Sequence, residues 1–274
     1  MKKTACKIYA FVDPSINHSG NPCYVTRESS FAFPSITSCS ISADKTSQSS
    51  QGYSLECKQN DTTIQCCGHG MLSAAYCIKN QIFTSESSTE TANATNSNRK
   101  NLQLYLSMSN CVSDVTLDDE IIWLEFEEIV CDFQDPPIWL KQLDLPNQPL
   151  RYAQTAANNG YCVVQFDDNI DLKRLNAPKE TIGQFTQRAI IYTSQSSSDK
   201  NTVFFRYFAP QYGNPEDTAT GSAIRVLANF WKIKHQRVTL KQLSPNGGLL
   251  FAERKNKTIR VGGICRWDGN YYEE

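Results

Sequence analysis

Two short stretches concentrate the residue types that can move a proton or hold an anion. Cys66-Cys67-Gly68-His69-Gly70 sets thiols beside an imidazole, and Glu216-Asp217-Thr218-Ala219-Thr220-Gly221-Ser222-Ala223 sets carboxylates beside hydroxyls. Each runs directly into a helical repeat. Met71, Ala74, Ala75 and Ile78 follow the first, and Ala223, Val226, Leu227 and Phe230 the second, both at the spacing of a helix buried along one stripe. Pro215, the acids Glu216 and Asp217, and the cap candidates Thr218, Thr220 and Ser222 put the second helix start near Gly221. A glycine there lets a ligand come close, and the N–H groups of a first helical turn lack partners within the helix and suit an anion. Ordinary buried helix starts carry the same signals, so periodicity alone does not separate structure from function.

The elements that must position these residues read as two similar halves. Besides the paired helix starts, Gly160-Tyr-Cys-Val-Val-Gln-Phe mirrors Gly20-Asn-Pro-Cys-Tyr-Val, which supports duplication. A chain of 274 residues with 40% apolar content can bury two ordinary cores. The formal net charge of −1, with no long block of Lys or Arg, disfavours a nucleic-acid partner. No stretch approaches the ~18 apolar residues of a membrane span, and Met1-Lys-Lys-Thr-Ala-Cys has no apolar run behind it to make a signal peptide. The eleven cysteines, without Cys-x-x-Cys spacing, then read mostly as reduced core residues of a cytoplasmic protein.

In chain order, Lys7 to Asp13 and Cys23 to Thr26 are expected as strands, as are two segments around an Asn60-Asp61 turn between Tyr53 and Gln65. Residues 84–101, rich in Ser, Thr, Asn and Glu, are expected as a hairpin tip or insertion. Leu102 to Met108 and Ile121 to Phe126 are strand candidates, Pro136 to Leu143 a short helix, and Ile170 to Asn176 and Lys179 to Arg188 further helices. Ala189 to Thr193 and Val203 to Pro210 read as strands that lead into the second helix start.

Glu216-Asp-Thr-Ala-Thr-Gly-Ser-Ala223 resembles the signature of the phenazine-biosynthesis PhzF-like proteins, and Cys67-Gly-His-Gly70 is similar to their other helix-start motif. Gly20-Asn-Pro, Arg206, Phe208, Pro210, Gly213, Gln242, Gly247-Gly248-Leu249 and Val261-Gly-Gly263 extend the resemblance over most of the chain. It implies an α+β fold of two pseudo-symmetric diaminopimelate epimerase-like domains, each a mostly antiparallel sheet or barrel wrapped around a central helix. The boundaries expected are 1–130 with the tail 265–274 for the first domain, and 131–264 for the second.

The resemblance further implies a cofactor-independent isomerase, with no metal or organic cofactor, that acts by proton transfer on a small carboxylate-bearing metabolite, and a homodimer. In that fold the two helix starts face one another across an interdomain cleft. Gly68, Gly70, Thr220, Gly221, Ser222 and Ala223 would then cradle the carboxylate, while Asp217 and His69 bind substrate or relay the proton. The family's general acid/base glutamate falls at Ala43; Asp44, one position on, replaces it only if the strand register shifts by one. Three alternatives remain. One is a catalytically impaired relative that binds a small acid or serves as a dimeric scaffold. Another is a one-cysteine epimerase or dehydratase with Cys67 as base and Thr220 in the place of the second cysteine. The weakest is zinc on Cys66, Cys67, His69 and Cys77, since adjacent cysteines seldom close a tetrahedral site.

Overall fold

A computed structural model describes residues 4–28, 33, 35–43, 51–60, 62–64, 66–83, 104–108, 111–146 and 148–273. Asp44 and the expected 84–101 insertion lie outside the described residues. The chain forms two compact units, Met1–Val12 with Asn21–Phe126 and Gly262–Glu274, and Asp13–Gly20 with Glu127–Val261. This differs from the expected boundaries chiefly in residues 13–20. That loop is tied to the second unit by the Gly20 N–H, which donates to the Gly247 carbonyl at 3.0 Å.

The first unit contains β1 (Thr4–Ala10), β2 (Asn21–Thr26), β3 (Thr37–Ala43), β4 (Gln51–Gln59), β5 (Thr62–Ile64), α1 (Gly68–Lys79), β6 (Leu104–Met108), β7 (Cys111–Asp118) and β8 (Ile121–Glu127). The second contains β9 (Cys131–Gln134), β10 (Arg151–Thr155), β11 (Tyr161–Gln165), β12 (Ala189–Gln195), β13 (Thr202–Phe208), α2 (Gly221–Phe230), β14 (Val238–Gln242), β15 (Gly248–Lys255) and β16 (Thr258–Gly263). The last strand, β17 (Cys265–Glu273), pairs antiparallel with β1 in the first unit.

The ladders carry the duplication more plainly than the sequence echoes do. In the first unit, β1–β2 is antiparallel, β2–β3 parallel, β3–β4 antiparallel, β4–β6 parallel and β6–β7 antiparallel. In the second, β10–β11, β11–β12, β12–β13, β13–β14 and β14–β15 repeat that succession in the same order. Parallel neighbours need a long crossover. In both units the crossover of the second parallel pair contains the one α-helix described for that unit.

Each helix is packed into its own unit. In α1, Met71, Leu72, Ala74 and Ala75 are fully buried, against β1, β2 and β3. In α2, Ala223, Ile224, Val226, Leu227 and Phe230 are fully buried, against β9, β11 and β15. The apolar stripes read from the sequence are buried except at Ile78, which is half-buried.

The helices expected at 170–176 and 179–188 are only short 3-10 turns, Leu172–Arg174 and Glu180–Gln184. The Arg206 guanidinium takes the Leu172 and Leu175 carbonyls at 2.9 and 2.6 Å, acceptors that a continuing helix would use, and Pro178 offers no N–H beyond them. Pro136 to Leu143 is likewise a 3-10 turn, Ile138–Leu143, ended by Asp144 in the left-handed region at φ 49°. Its Ile138 is 82% exposed, so the apolar spacing there does not mark a buried stripe.

Candidate functional site

The first cluster is built on the start of α1. Cys67 is the N-cap residue, at φ −119° and ψ 92°, and its Sγ accepts the Gly70 N–H at 3.4 Å. The same sulfur lies 3.6 Å from Nδ1 of the half-buried His69. Gly70 has to be small: a Cβ there would sit 2.5 Å from the Cys57 sulfur and 2.9 Å from that of Cys67. Four influences bear on the Cys67 thiol. The Cys57 thiol donates to it, His69 adds positive charge and a hydrogen bond, and the Gly70 N–H points at it, which together outweigh burial and hold it well below the usual thiol range. Cys57 responds in the opposite sense, raised by its hydrogen bonds to Cys39 and Cys67 and by burial. The two thiols thus shift in opposite senses, Cys67 down and Cys57 up.

The second cluster sits at the start of α2. Thr220 is the N-cap residue, at φ −114° and ψ 98°, nearly the backbone conformation of Cys67, and makes no side-chain cap bond. Its hydroxyl instead donates to Asp217 Oδ2 at 2.6 Å, while Asp217 Oδ1 accepts the Thr218 N–H at 3.0 Å. Gln242, which is buried, ties the loop together: its Oε1 accepts the Thr220 N–H at 2.7 Å and its Nε2 donates to the Asp217 carbonyl at 2.5 Å. Ser244 Oγ donates to the Thr218 carbonyl at 2.6 Å. The half-buried Asp217 carboxylate is thus fixed by its own loop.

Glu216, expected near the helix start, is not in the first turn. It forms a two-pronged pair with Arg206, Oε1 to Nε at 2.7 Å and Oε2 to Nη2 at 2.8 Å, and no acid occupies that turn. Gly68, Gly70, Gly221 and Ala223 are buried at their helix starts and Ser222 is half-buried. Ala43 ends β3 opposite Tyr53, on the strand face that carries Cys39 and Ile41. The four zinc candidates do not converge: the Cys66 sulfur turns to Cys111 at 2.6 Å and the Cys77 sulfur to Cys6 at 3.3 Å. Gln242, Ser244 and Cys57 were not singled out as site residues from the sequence. Gln242 and Ser244 reach the α2 loop from more than 20 positions away in sequence, and only the family pattern at Gln242 could have pointed there.

A family model described as Phenazine biosynthesis-like protein, PhzC-PhzF, matches residues 61–249, which include both helix starts. A protein of Halalkalibacterium halodurans named as an uncharacterized isomerase is 34% identical over 90 residues, which cover 32% of this chain and 34% of that one. The chain therefore spans about a third of the length of that curated relative. Among solved structures, a PhzF-family protein from Enterococcus faecalis matches with a TM-score of 0.76 at 18% identity, covering 100% of this chain and 99% of that one. A hydroxyproline epimerase from Agrobacterium vitis with bound trans-4-hydroxy-L-proline matches with a TM-score of 0.62 at 8% identity, covering 99% and 92%. At these identities the structural likenesses show the fold.

Proposed function

This chain belongs to the phenazine biosynthesis-like PhzC-PhzF family, and on that premise we propose that it is an isomerase that moves a proton on a small carboxylate-bearing metabolite, without a metal or organic cofactor. The observation that carries the reading is the Cys67 thiol, favoured as thiolate by Cys57, His69 and the start of α1. A thiolate at that position is a base for the acidic carbon next to a carboxylate. The first-turn N–H groups hold the carboxylate and the charge that develops when the proton leaves; a helix terminus contributes about 0.3–1 kcal/mol to an exposed anion and up to ~2 kcal/mol to a partly buried one. His69, 3.6 Å from the sulfur, is the charge partner that keeps the sulfur free to accept that proton.

Thr220 occupies the equivalent cap in the second unit, and its hydroxyl proton is committed to Asp217, so a symmetric two-thiol racemase is not the reading. The family resemblance, rather than a distance, joins Asp217 and the α2 start to the same reaction, as the group that hydrogen-bonds the substrate. The names of the relatives support the same class: one is an isomerase, and one an epimerase whose structure holds a hydroxylated amino acid.

Incubation with pooled carboxylate metabolites in deuterated water tests this. Deuterium is expected to enter a carbon next to a carboxylate in at least one of them, with exchange lost in Cys67→Ser and His69→Ala and strongly reduced in Asp217→Asn. A second reading, a family member that binds a small acid without turning it over, is favoured by Ala43 standing where the acid/base glutamate falls. It is preferred if no metabolite exchanges while a carboxylate raises the melting temperature.

A further inference from the structure

A second sulfur pair in the first unit stands apart from the Cys67 cluster. Cys66, half-buried between β5 and α1, and Cys111, the first residue of β7, lie 45 positions apart in sequence with their sulfurs 2.6 Å apart. That is well inside the contact distance of two sulfurs and about 0.6 Å beyond an S–S bond of ~2.05 Å. The two side chains already aim at each other, so little backbone movement is needed to join them. We propose that Cys66 and Cys111 are a thiol modification site that closes to a disulfide under a small peroxide and reopens under a dithiol reductant.

Access singles out this pair. The other close pair, Cys6 and Cys77 at 3.3 Å, is 0% and 1% exposed, and Cys57 behind Cys67 is 0% exposed, so an oxidant in solution does not reach them. Cys66 does present surface. Its sulfur attacks the peroxide O–O bond and becomes a sulfenic acid, while the other oxygen leaves as water. The Cys111 sulfur then attacks the Cys66 sulfur, the S–S bond forms, and the second oxygen leaves with the thiol proton as water. Two thiols lose two electrons in all, and one peroxide becomes two waters. Cys66 immediately precedes the N-cap of α1, so the bridge fixes the backbone that leads into that helix start to the head of β7.

The experiment is a peptide map of the whole wild-type protein after one equivalent of hydrogen peroxide, with remaining thiols alkylated before digestion. The expected result is loss of two hydrogens per chain, a linked pair of peptides whose fragments assign the bond to Cys66 and Cys111, and return of both thiols after dithiothreitol. In Cys111→Ser the sulfenic acid at Cys66 is expected to persist and to be trapped by dimedone. The proposal is overturned if Cys66 and Cys111 both remain alkylatable while other thiols oxidise, or if the fragments assign the bond to Cys67. Because the wild-type map decides the matter, a variant that fails to fold does not blur it, and no substrate need be known.

Discussion

At the scale of single residues, the Cys67 thiol departs from those of Cys23, Cys57, Cys77, Cys131, Cys162 and Cys265, which are all raised. Burial pushes Cys162 up to about 12 and Cys131 to about 11, as expected for thiols surrounded by apolar atoms. Cys67 is only 3% exposed, yet its thiol moves the other way, because donors converge on the sulfur. The sign follows from that direction. A thiol whose folded pKa lies below the unfolded value, near 8.5, contributes stability fully present above the unfolded value and lost as pH falls through the folded one. Thiolate absorbance in the near ultraviolet is therefore expected to persist in the folded protein at pH values where an ordinary thiol is protonated, and to vanish there in Cys67→Ser. A wild-type profile with a single rise at the ordinary thiol position is incompatible with a thiolate at this cap.

At the scale of elements, an ion pair joins the loop between β13 and α2 back to β13. Arg206 and Glu216 have side chains 9% and 14% exposed, and Arg206 also serves the Leu172 and Leu175 carbonyls while its guanidinium lies 4.7 Å from the centre of the Phe208 ring. Removing one partner of a buried pair leaves the other charge uncompensated, at a cost of about 3–5 kcal/mol. Glu216→Gln is expected to lower unfolding free energy in urea by that order; a loss below ~1 kcal/mol, the range of an exposed pair, would falsify this placement. This same pair explains what the sequence could and could not tell. The stripes on α1 and α2, and strands such as β1, β12 and β13, are legible because their periodicity is decided locally. Glu216 and Arg206 are ten positions apart, and nothing in the spacing says that the acid leaves the helix start for an arginine on β13. The turn at Leu172–Arg174 falls short of the expected helix for a related reason: the Leu172 and Leu175 carbonyls are taken by an arginine distant in sequence. Gln242 likewise reaches Thr220 from 22 positions away, so its hold on Asp217 appears only when β14 is placed.

At the scale of the whole chain, the repeated ladder order carries a consequence for the terminus. In the second unit β9 comes after β8 and pairs with β10, whereas its counterpart in the first unit, β17, comes from the far end of the sequence and pairs with β1. The first unit is therefore completed only when residues 265–273 have been made. Strand β1 lies between β2 and β17, and its Ala5, Cys6, Ile8 and Ala10 are fully buried, so the tail covers one edge of a core strand rather than fraying from the surface. The Cys265 thiol packs 3.7 Å from the Leu72 carbonyl of α1, which extends that cover to the helix bearing Cys67. A terminal segment held only by local contacts exchanges its amide hydrogens rapidly, independently of the core. Here the amides of β17 that face β1 are expected to exchange together with those of β1, at rates set by opening of the whole unit. Truncation after Gly263 is expected to abolish protection across β1 and β2 and to leave a chain that aggregates through the exposed edge. Fast exchange in β17 beside slow exchange in β1 would instead mean that the first unit closes without its tail.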